Sequence, residues 1–228
     1  MNRDPHKEKH TRLALVGMSG SGKTFWSRKL AASGWTAVSC DDLIEKRLAP
    51  RLAAGGYSGI NGVAAWMGWP DSPTYAEREA EYLAEEISVV DEFLTVLEKE
   101  NASAPIVLDT TGSVIYAQNN ILMRLRRQMT VIHLASTDSE QQLLVQRYLH
   151  DPKPVLWRGT FHVKDHEFPR ETVARCYPQL IALRKKSYET LAHHSVQVAA
   201  LRSLGAGNAD SPDVVEKFLK KIQAQEHQ

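Results

Sequence analysis

The sequence predicts an α/β fold built on a mainly parallel five-stranded sheet with helices on both faces, and three observations carry that prediction. Short apolar runs near 13–16, 36–40, 106–108, 130–135 and 196–198 alternate with longer segments of helical period. The first run ends in a glycine-rich loop that opens onto a helix. The third run ends in Asp109, at the carboxyl edge where doubly wound sheets place ligand-binding groups.

Taken in order, Leu13-Ala14-Leu15-Val16 is short, apolar and closed by glycine, which suits a buried parallel strand. A helix over 23–32 follows, and Thr36 to Cys40 reads as the second strand. Asp41-Asp42 ahead of Leu43-Ile44 makes an acidic helix start, because carboxylates favour the positive end of the helix dipole, and Pro50 closes that helix. The Gly-, Trp- and Pro-rich stretch 51–73 predicts irregular backbone with a short helix over Val63 to Met67. Its Trp66 and Trp69 fit either a pocket wall or a core cap. A long helix over 74–100 repeats Leu83, Ile87, Val90, Leu94 and Leu97 along one face. Pro105 introduces the strand Ile106-Val107-Leu108, a helix spans 116–128, Thr130 to Ala135 is a fourth strand, and a helix covers 138–149. Asp151-Pro152-Lys153-Pro154 breaks the pattern, so 151–170 reads as a mobile excursion carrying Lys153, Arg158, Lys164 and Arg170. Glu171 to Ala192 is helical and bent at Pro178, Val196 to Val198 is the last strand, and 212–225 packs on the sheet through Val215, Phe218, Leu219 and Ile222.

A chain of 228 residues that is 43% hydrophobic supports one core, hence a single domain over 1–228 with a disordered tail at 1–10. Lys plus Arg number 28 against 27 Asp plus Glu, a balance that gives no general attraction to nucleic acid or to a membrane surface. Met1 to Arg12 lacks the apolar stretch of a signal peptide, and no run approaches the roughly 20 residues of a bilayer span, so the expected location is cytoplasmic. A monomer or homodimer is expected. Cys40 and Cys176 cannot build a disulfide framework and read as reduced buried thiols. His162 and His166 have i, i+4 spacing but no Cys partner or H-E-x-x-H pattern, so metal binding is not expected there.

Gly17-Met18-Ser19-Gly20-Ser21-Gly22-Lys23-Thr24 matches the full G-x-x-x-x-G-K-[ST] pattern, and it stands between a strand and a helix as that pattern requires. The chemistry needs this spacing: main-chain N–H groups of Gly17, Ser19, Gly20, Ser21 and Gly22 turn inward on phosphates, and the helix dipole adds to them. Lys23 reaches the β- and γ-phosphates and the Thr24 hydroxyl goes to Mg²⁺, which makes ATP with Mg²⁺ the expected cofactor. Asp109 stands where a Walker-B carboxylate belongs and is the second expected metal ligand.

Beyond this loop the chain resembles the shikimate kinase family of P-loop phosphotransferases over about residues 11–200. Asp41-Asp42-Leu43-Ile44-Glu45 resembles the family's Asp-x-x-Ile-Glu pattern, whose aspartate contacts the acceptor hydroxyl. Thr110-Thr111-Gly112-Ser113 is similar to its Gly-rich substrate loop, and Lys153-Pro154-Val155-Leu156 to its basic lid. Arg184-Lys185-Lys186-Ser187-Tyr188 is similar to its Arg-x-x-x-Tyr pair, in which the arginine holds the substrate carboxylate. The resemblance implies a three-layer P-loop kinase fold, with an acceptor-binding helical region over about 41–103 and a lid over about 151–170. It implies a kinase in which Asp41 takes the proton of the acceptor hydroxyl, Lys23 neutralises the γ-phosphate, and Lys153 or Arg158 closes over the site. Asp41, Arg78, Gly112 and Arg184 are the expected acceptor contacts.

The departures redirect the acceptor. The family's second aspartate falls on Ser39, its other carboxylate-binding arginine falls on Ala76 with Arg78 close by, and its triple glycine is reduced to Gly112. Shikimate is thus disfavoured against another polyol, sugar or cyclitol, with or without a carboxylate. Plainer roles exist for each residue: Asp41 or Asp42 as a helix cap, Arg184 as a solvated helix charge. Asp109-Thr110-Thr111-Gly112 also reproduces the D-x-x-G turn of GTPase switches, although Ala135-Ser136-Thr137-Asp138 keeps only the last residue of the guanine-reading tetrapeptide. A nucleic-acid end kinase, against which the near-zero net charge and the lack of a dense basic stripe argue, and a nucleotide-binding adaptor without turnover are the remaining alternatives.

Overall fold

The computed structural model describes residues 11–99, 104–205 and 212–224; the tail expected at 1–10 lies outside them, as do the last residue of the predicted 74–100 helix and the end of the predicted acceptor region. Strand β1 (Arg12–Val16) leads through the glycine loop into α1 (Lys23–Ala32), and β2 (Thr36–Ser39) runs directly into α2 (Cys40–Ala54). Helices α3 (Gly59–Met67) and α4 (Tyr75–Lys99) precede β3 (Ile106–Asp109). Then come α5 (Asn119–Gln128), β4 (Thr130–Ala135), α6 (Asp138–His150), α7 (Pro169–Leu191), β5 (His194–Gln197), α8 (Val198–Gly205) and α9 (Pro212–Gln223).

The five strands form one parallel sheet in the order β2-β3-β1-β4-β5. Register brings Asp109 level with Leu15 on one side and with Ser39 on the other. The loop after β1, the start of α2 after β2, and the turn after β3 therefore leave the sheet along one edge, which is how three separate sequence segments come to share a site.

Side-chain alternation sorts the core into two layers. Leu13, Leu15, Val107, Ile132 and Leu134 face one side and meet Trp26 and Leu30 of α1, Leu201 of α8 and Phe218 of α9. Trp26 and Phe218 stack at 4.4 Å between ring centroids. Ala14, Val16, Ile106, Leu108 and Val131 face the opposite layer, against Ile44 and Leu48 of α2, Val90 and Leu94 of α4, and Leu180 of α7. Each such Leu or Ile withdrawn from water stabilises the fold by about 1.5–3 kcal/mol. No helix among the described residues is long and apolar enough to cross a membrane.

Several expectations need correction. Pro50 does not end its helix, which runs on to Ala54. Pro50 is exposed, so the Lys46 carbonyl it leaves unbonded is open to water, while Leu52 continues the buried row of Ile44 and Leu48. Pro178 is likewise exposed within a continuous α7. Pro50→Ala restores the missing donor and is expected to raise stability by about 1–3 kcal/mol, read as a higher midpoint in chemical denaturation. The predicted 116–128 helix divides into a 3₁₀ turn at Val114–Tyr116 and α5, and Val198 opens α8 instead of closing β5. On α4 the buried row is Tyr75, Glu79, Tyr82, Glu86, Val89, Val90, Leu94 and Leu97, and it takes two glutamates inside while Leu83 and Ile87 stay half-buried.

The predicted excursion ends two residues early, because Pro169 and Arg170 open α7; over 151–168 it has no helix or strand, yet its middle is fixed: Val155, Leu156 and Trp157 are buried in the core. Trp157 packs edge-on against Tyr148, Phe161 and Tyr177. The segment is a strap pinned at its centre by an aromatic cluster.

Candidate active site

The phosphate loop is held from beneath by the sheet. Gly17 has φ +146°, and a Cβ there would stand 2.9 Å from the Leu134 carbonyl oxygen, so only glycine fits between β1 and β4. Lys23 opens α1 and folds back, its ammonium donating to the Gly17 carbonyl at 2.9 Å and the Met18 carbonyl at 3.1 Å. Burial lowers the Lys23 pKa, and the carboxylates of Asp109 and Asp41 oppose that shift. These three charged groups are thus close enough to set one another's titration.

Asp109, at the end of β3, is buried and its Oδ1 has no hydrogen-bond partner among the described residues. Burial raises its pKa, while the Lys23 ammonium and a hydrogen bond with Thr24 pull it back. Asp41 lies in the first turn of α2 and accepts a hydrogen bond from the Tyr82 hydroxyl at 3.1 Å. Burial pushes its pKa up to about 6. Neither Asp41 nor Asp42 caps α2; Ser39 does, accepting from the Asp42 N–H at 3.2 Å. The residue standing where the resemblance places an aspartate is therefore used for local structure, and Asp41 is left free to face the cleft.

The turn after β3 is locked from several sides. The Thr110 hydroxyl donates to the Leu15 carbonyl at 2.7 Å, the Thr111 hydroxyl bonds Glu86, and the Gly112 carbonyl accepts from Arg184 at 2.9 Å and from the Tyr188 hydroxyl. A Cβ at Gly112 would meet the Ser19 N–H nitrogen at 3.3 Å and Arg184 Nη1 at 3.2 Å, so the turn sits directly on the phosphate loop. Glu86 is fully buried, and its pKa rises to about 8, chiefly from burial, with a hydrogen bond from Ser113 opposing. Its second oxygen has no partner among the described residues.

Glu86 makes a pH prediction. A carboxyl whose folded pKa of about 8 exceeds its ordinary 4.5 holds its proton more tightly when folded, so stability is lost as pH rises between those values. His133, whose pKa burial depresses from 6.5 to about 4, acts in the opposite direction only below 6.5. Between pH 6.5 and about 8 the melting temperature is expected to fall in the wild type and to stay level in Glu86→Gln. Equal slopes for both proteins would assign the loss elsewhere.

One cleft of about 470 Å³ joins these parts. Ser19, Gly20, Gly22, Lys23 and Thr24 of the phosphate loop line it together with Asp41, Asp42, Thr111 and Gly112, and Asp151, Lys153 and Pro154 of the strap border it. Arg28 and Arg147 also line it, and Arg147 donates to the Gly20 carbonyl at 3.3 Å. Of the expected residues, Gly17, Ser21 and Asp109 lie behind its lining, and three arginines are not brought there. Arg78 donates to the Trp66 carbonyl and lies over the Trp66 ring at 5.6 Å, which pins α3 to α4. Arg158, with φ +48°, lies over the Tyr116 ring at 5.8 Å. Arg184 is 2% exposed, not solvated, and lies beneath the turn. Lys153 does border the cleft, paired with Asp151 at 2.8 Å and bonded to Asn61. His162 and His166 occupy irregular backbone, so their spacing does not place them on one helix face.

The sequence carried signals for some of the unforeseen residues. Arg28 follows Thr24 by one helical turn and shares its face. Glu79 and Glu86 interrupt the apolar row of α4 at positions its period buries. Arg147 had no local signal, because only the packing of α6 brings it to the loop.

The comparisons with known proteins agree with this architecture. A family model described as AAA domain matches residues 13–155, more than half of the chain. No curated protein matches. Among solved structures, shikimate kinase from Acinetobacter baumannii in complex with shikimate superposes with a TM-score of 0.57 at 21% identity, covering 98% of this chain and 100% of that one. Shikimate kinase from Bacteroides thetaiotaomicron gives 0.53 at 17% identity, covering 95% and 98%. Shikimate kinase from Aquifex aeolicus gives 0.51 at 17%, covering 94% and 98%. At these identities the likeness is one of fold.

Proposed function

From the premise that the chain belongs to the AAA domain family and has a shikimate kinase-like P-loop fold, we propose that it is an ATP- and Mg²⁺-dependent kinase acting on a hydroxyl of a small metabolite. The observation that carries the reading is a cleft of about 470 Å³ lined both by the phosphate loop and by a carboxylate of another segment, Asp41. A nucleotide-binding site alone has no need of a further carboxylate, Asp41, in electrostatic reach of the loop lysine.

Phosphoryl transfer asks a protein mainly for positioning and charge neutralisation. The loop N–H groups and Lys23 hold the triphosphate, and the ammonium exchanges its two loop carbonyls for phosphate oxygens. Asp41, oriented by Tyr82, accepts the proton of the acceptor hydroxyl as its oxygen bonds the γ-phosphorus; the bond from that phosphorus to the β,γ-bridging oxygen breaks, and ADP leaves. Thr24 and Asp109 fit Mg²⁺, since a hydroxyl lies beside a buried carboxylate oxygen without a partner. When bound there, the ion neutralises charge on the phosphates. The strap with Lys153 borders the cleft where it limits the entry of water, which competes with the acceptor.

The D-x-x-G match favours a second reading, a nucleotide switch. Its turn argues against it, because Thr110, Thr111 and Ser113 are buried and bonded on every side, whereas a switch segment must be released on hydrolysis. Guanine selectivity in a comparison of ATP and GTP binding would favour the switch.

The test is to incubate the protein with ATP, Mg²⁺ and a pool of cytosolic metabolites and to seek, by mass spectrometry, a metabolite heavier by one phosphoryl group. Absence of any such product alongside intact ATP binding would favour the adaptor. Lys23→Ala is expected to weaken ATP binding about tenfold or more in calorimetry, since it removes a charge-assisted contact with the phosphates. Undiminished affinity would remove Lys23 from the site.

A further inference from the structure

We infer that the acceptor carries no carboxylate: the cleft takes an uncharged or amine-bearing hydroxyl compound, a polyol, a sugar or an amino alcohol. This rests on the kinase reading above and narrows it. The two arginines that the family resemblance offers as acceptor contacts, Arg184 and Arg78, are both bonded within the protein and do not line the cleft. All three guanidinium nitrogens of Arg184 donate to protein acceptors: Nε to the Tyr116 hydroxyl at 3.3 Å, Nη1 to the Gly112 carbonyl at 2.9 Å, and Nη2 to the Leu156 carbonyl. The Tyr116 ring covers its face at 5.2 Å. Turning Arg184 towards a ligand would strand the buried Leu156 carbonyl at a cost of about 1–3 kcal/mol, while the Gly112 carbonyl would keep the Tyr188 hydroxyl. Arg78 is similarly committed to the Trp66 carbonyl.

The charges that remain in the cleft are of both signs. Lys23, Arg28 and Arg147 belong to the loop or lie beside it, where phosphates bring the matching negative charge. Asp41, Asp42 and Asp151 line the same cleft, and Lys153 is already paired with Asp151. Tyr148 and Tyr177, stacked at 4.8 Å, supply an aromatic wall. A carboxylate lodged beside Asp41 and Asp42 would lose its water and face like charges, and it would compete with the phosphates for Arg28 and Arg147. Hydroxyl groups find carboxylate acceptors, and an ammonium finds both carboxylates and aromatic faces.

The full chain, ATP and Mg²⁺ are incubated with a metabolite extract split beforehand by anion exchange at neutral pH into unretained and retained fractions. A compound heavier by one phosphoryl group is expected to form at least about 100-fold faster in the unretained, neutral and cationic fraction. A product from the retained, acidic fraction at equal or greater rate overturns the inference and leaves the kinase reading standing. A product in neither fraction overturns the kinase reading, and the inference with it. As a second readout, Arg184→Lys with its fold verified by circular dichroism is expected to keep the acceptor KM within about threefold of wild type, since a contact that is not made to substrate leaves KM in place. A rise of about tenfold or more in that KM, with the fold intact, overturns the inference. Should this variant not fold, the fractionated extract decides alone.

Discussion

Asp41→Asn is expected to lower kcat by about 10²–10⁴-fold while leaving ATP affinity nearly unchanged, the usual loss when a positioned general base is removed. Asn keeps the size of the side chain and can still accept from Tyr82, so packing around the start of α2 is preserved. What disappears is the anionic oxygen that takes the hydroxyl proton. The same residue sets a pH dependence. With its pKa pushed up to about 6 by burial, the wild-type rate should fall as pH drops through about 6, because the protonated carboxyl cannot act as the base. Steady-state kinetics from pH 5 upward, with ATP affinity measured in parallel, test both parts. A variant that turns over at the wild-type rate would show that Asp41 does not serve as the base.

Arg184→Met is expected to destabilise the protein by about 2–5 kcal/mol, because it leaves buried acceptors without donors. The Leu156 carbonyl and the Tyr116 hydroxyl lose their guanidinium partner, whereas the Gly112 carbonyl keeps the Tyr188 hydroxyl. The three partners belong to the strap, the 3₁₀ turn and the turn after β3, so one side chain ties together three segments that share no regular secondary structure. For a chain of this length the loss corresponds to a fall of roughly 5–15 °C in melting temperature. Calorimetric melting checks it, and a shift of less than about 2 °C would mean that the arginine does not hold these segments together.

Much of the framework was legible in the sequence because its signals are local. A glycine pattern between an apolar run and a helix fixes a phosphate loop by backbone geometry alone, and short apolar runs at regular intervals announce parallel strands. Asp109 was found by its place at a strand end, which topology then set beside Ser39 and Leu15. The misjudged elements share a physical cause. Pro50 and Pro178 act as helix breakers in isolation, but each lies on a solvent-facing side where water satisfies the freed carbonyl and flanking residues stay packed. The prolines and charges of the strap predict a mobile segment, whereas burial of Val155, Leu156 and Trp157 fixes its centre.

The sequence by itself determined the phosphate loop, the order of strands and helices along the chain, and the carboxylates that could serve chemistry. Only the tertiary structure decided which cations are available. Lys153 and Arg147 reach the cleft while Arg78, Arg158 and Arg184 are engaged elsewhere by carbonyls and aromatic rings distant in sequence. A guanidinium looks the same in sequence whether it awaits a ligand or is already bonded, because its partners are main-chain oxygens that every residue carries and only folding brings within reach.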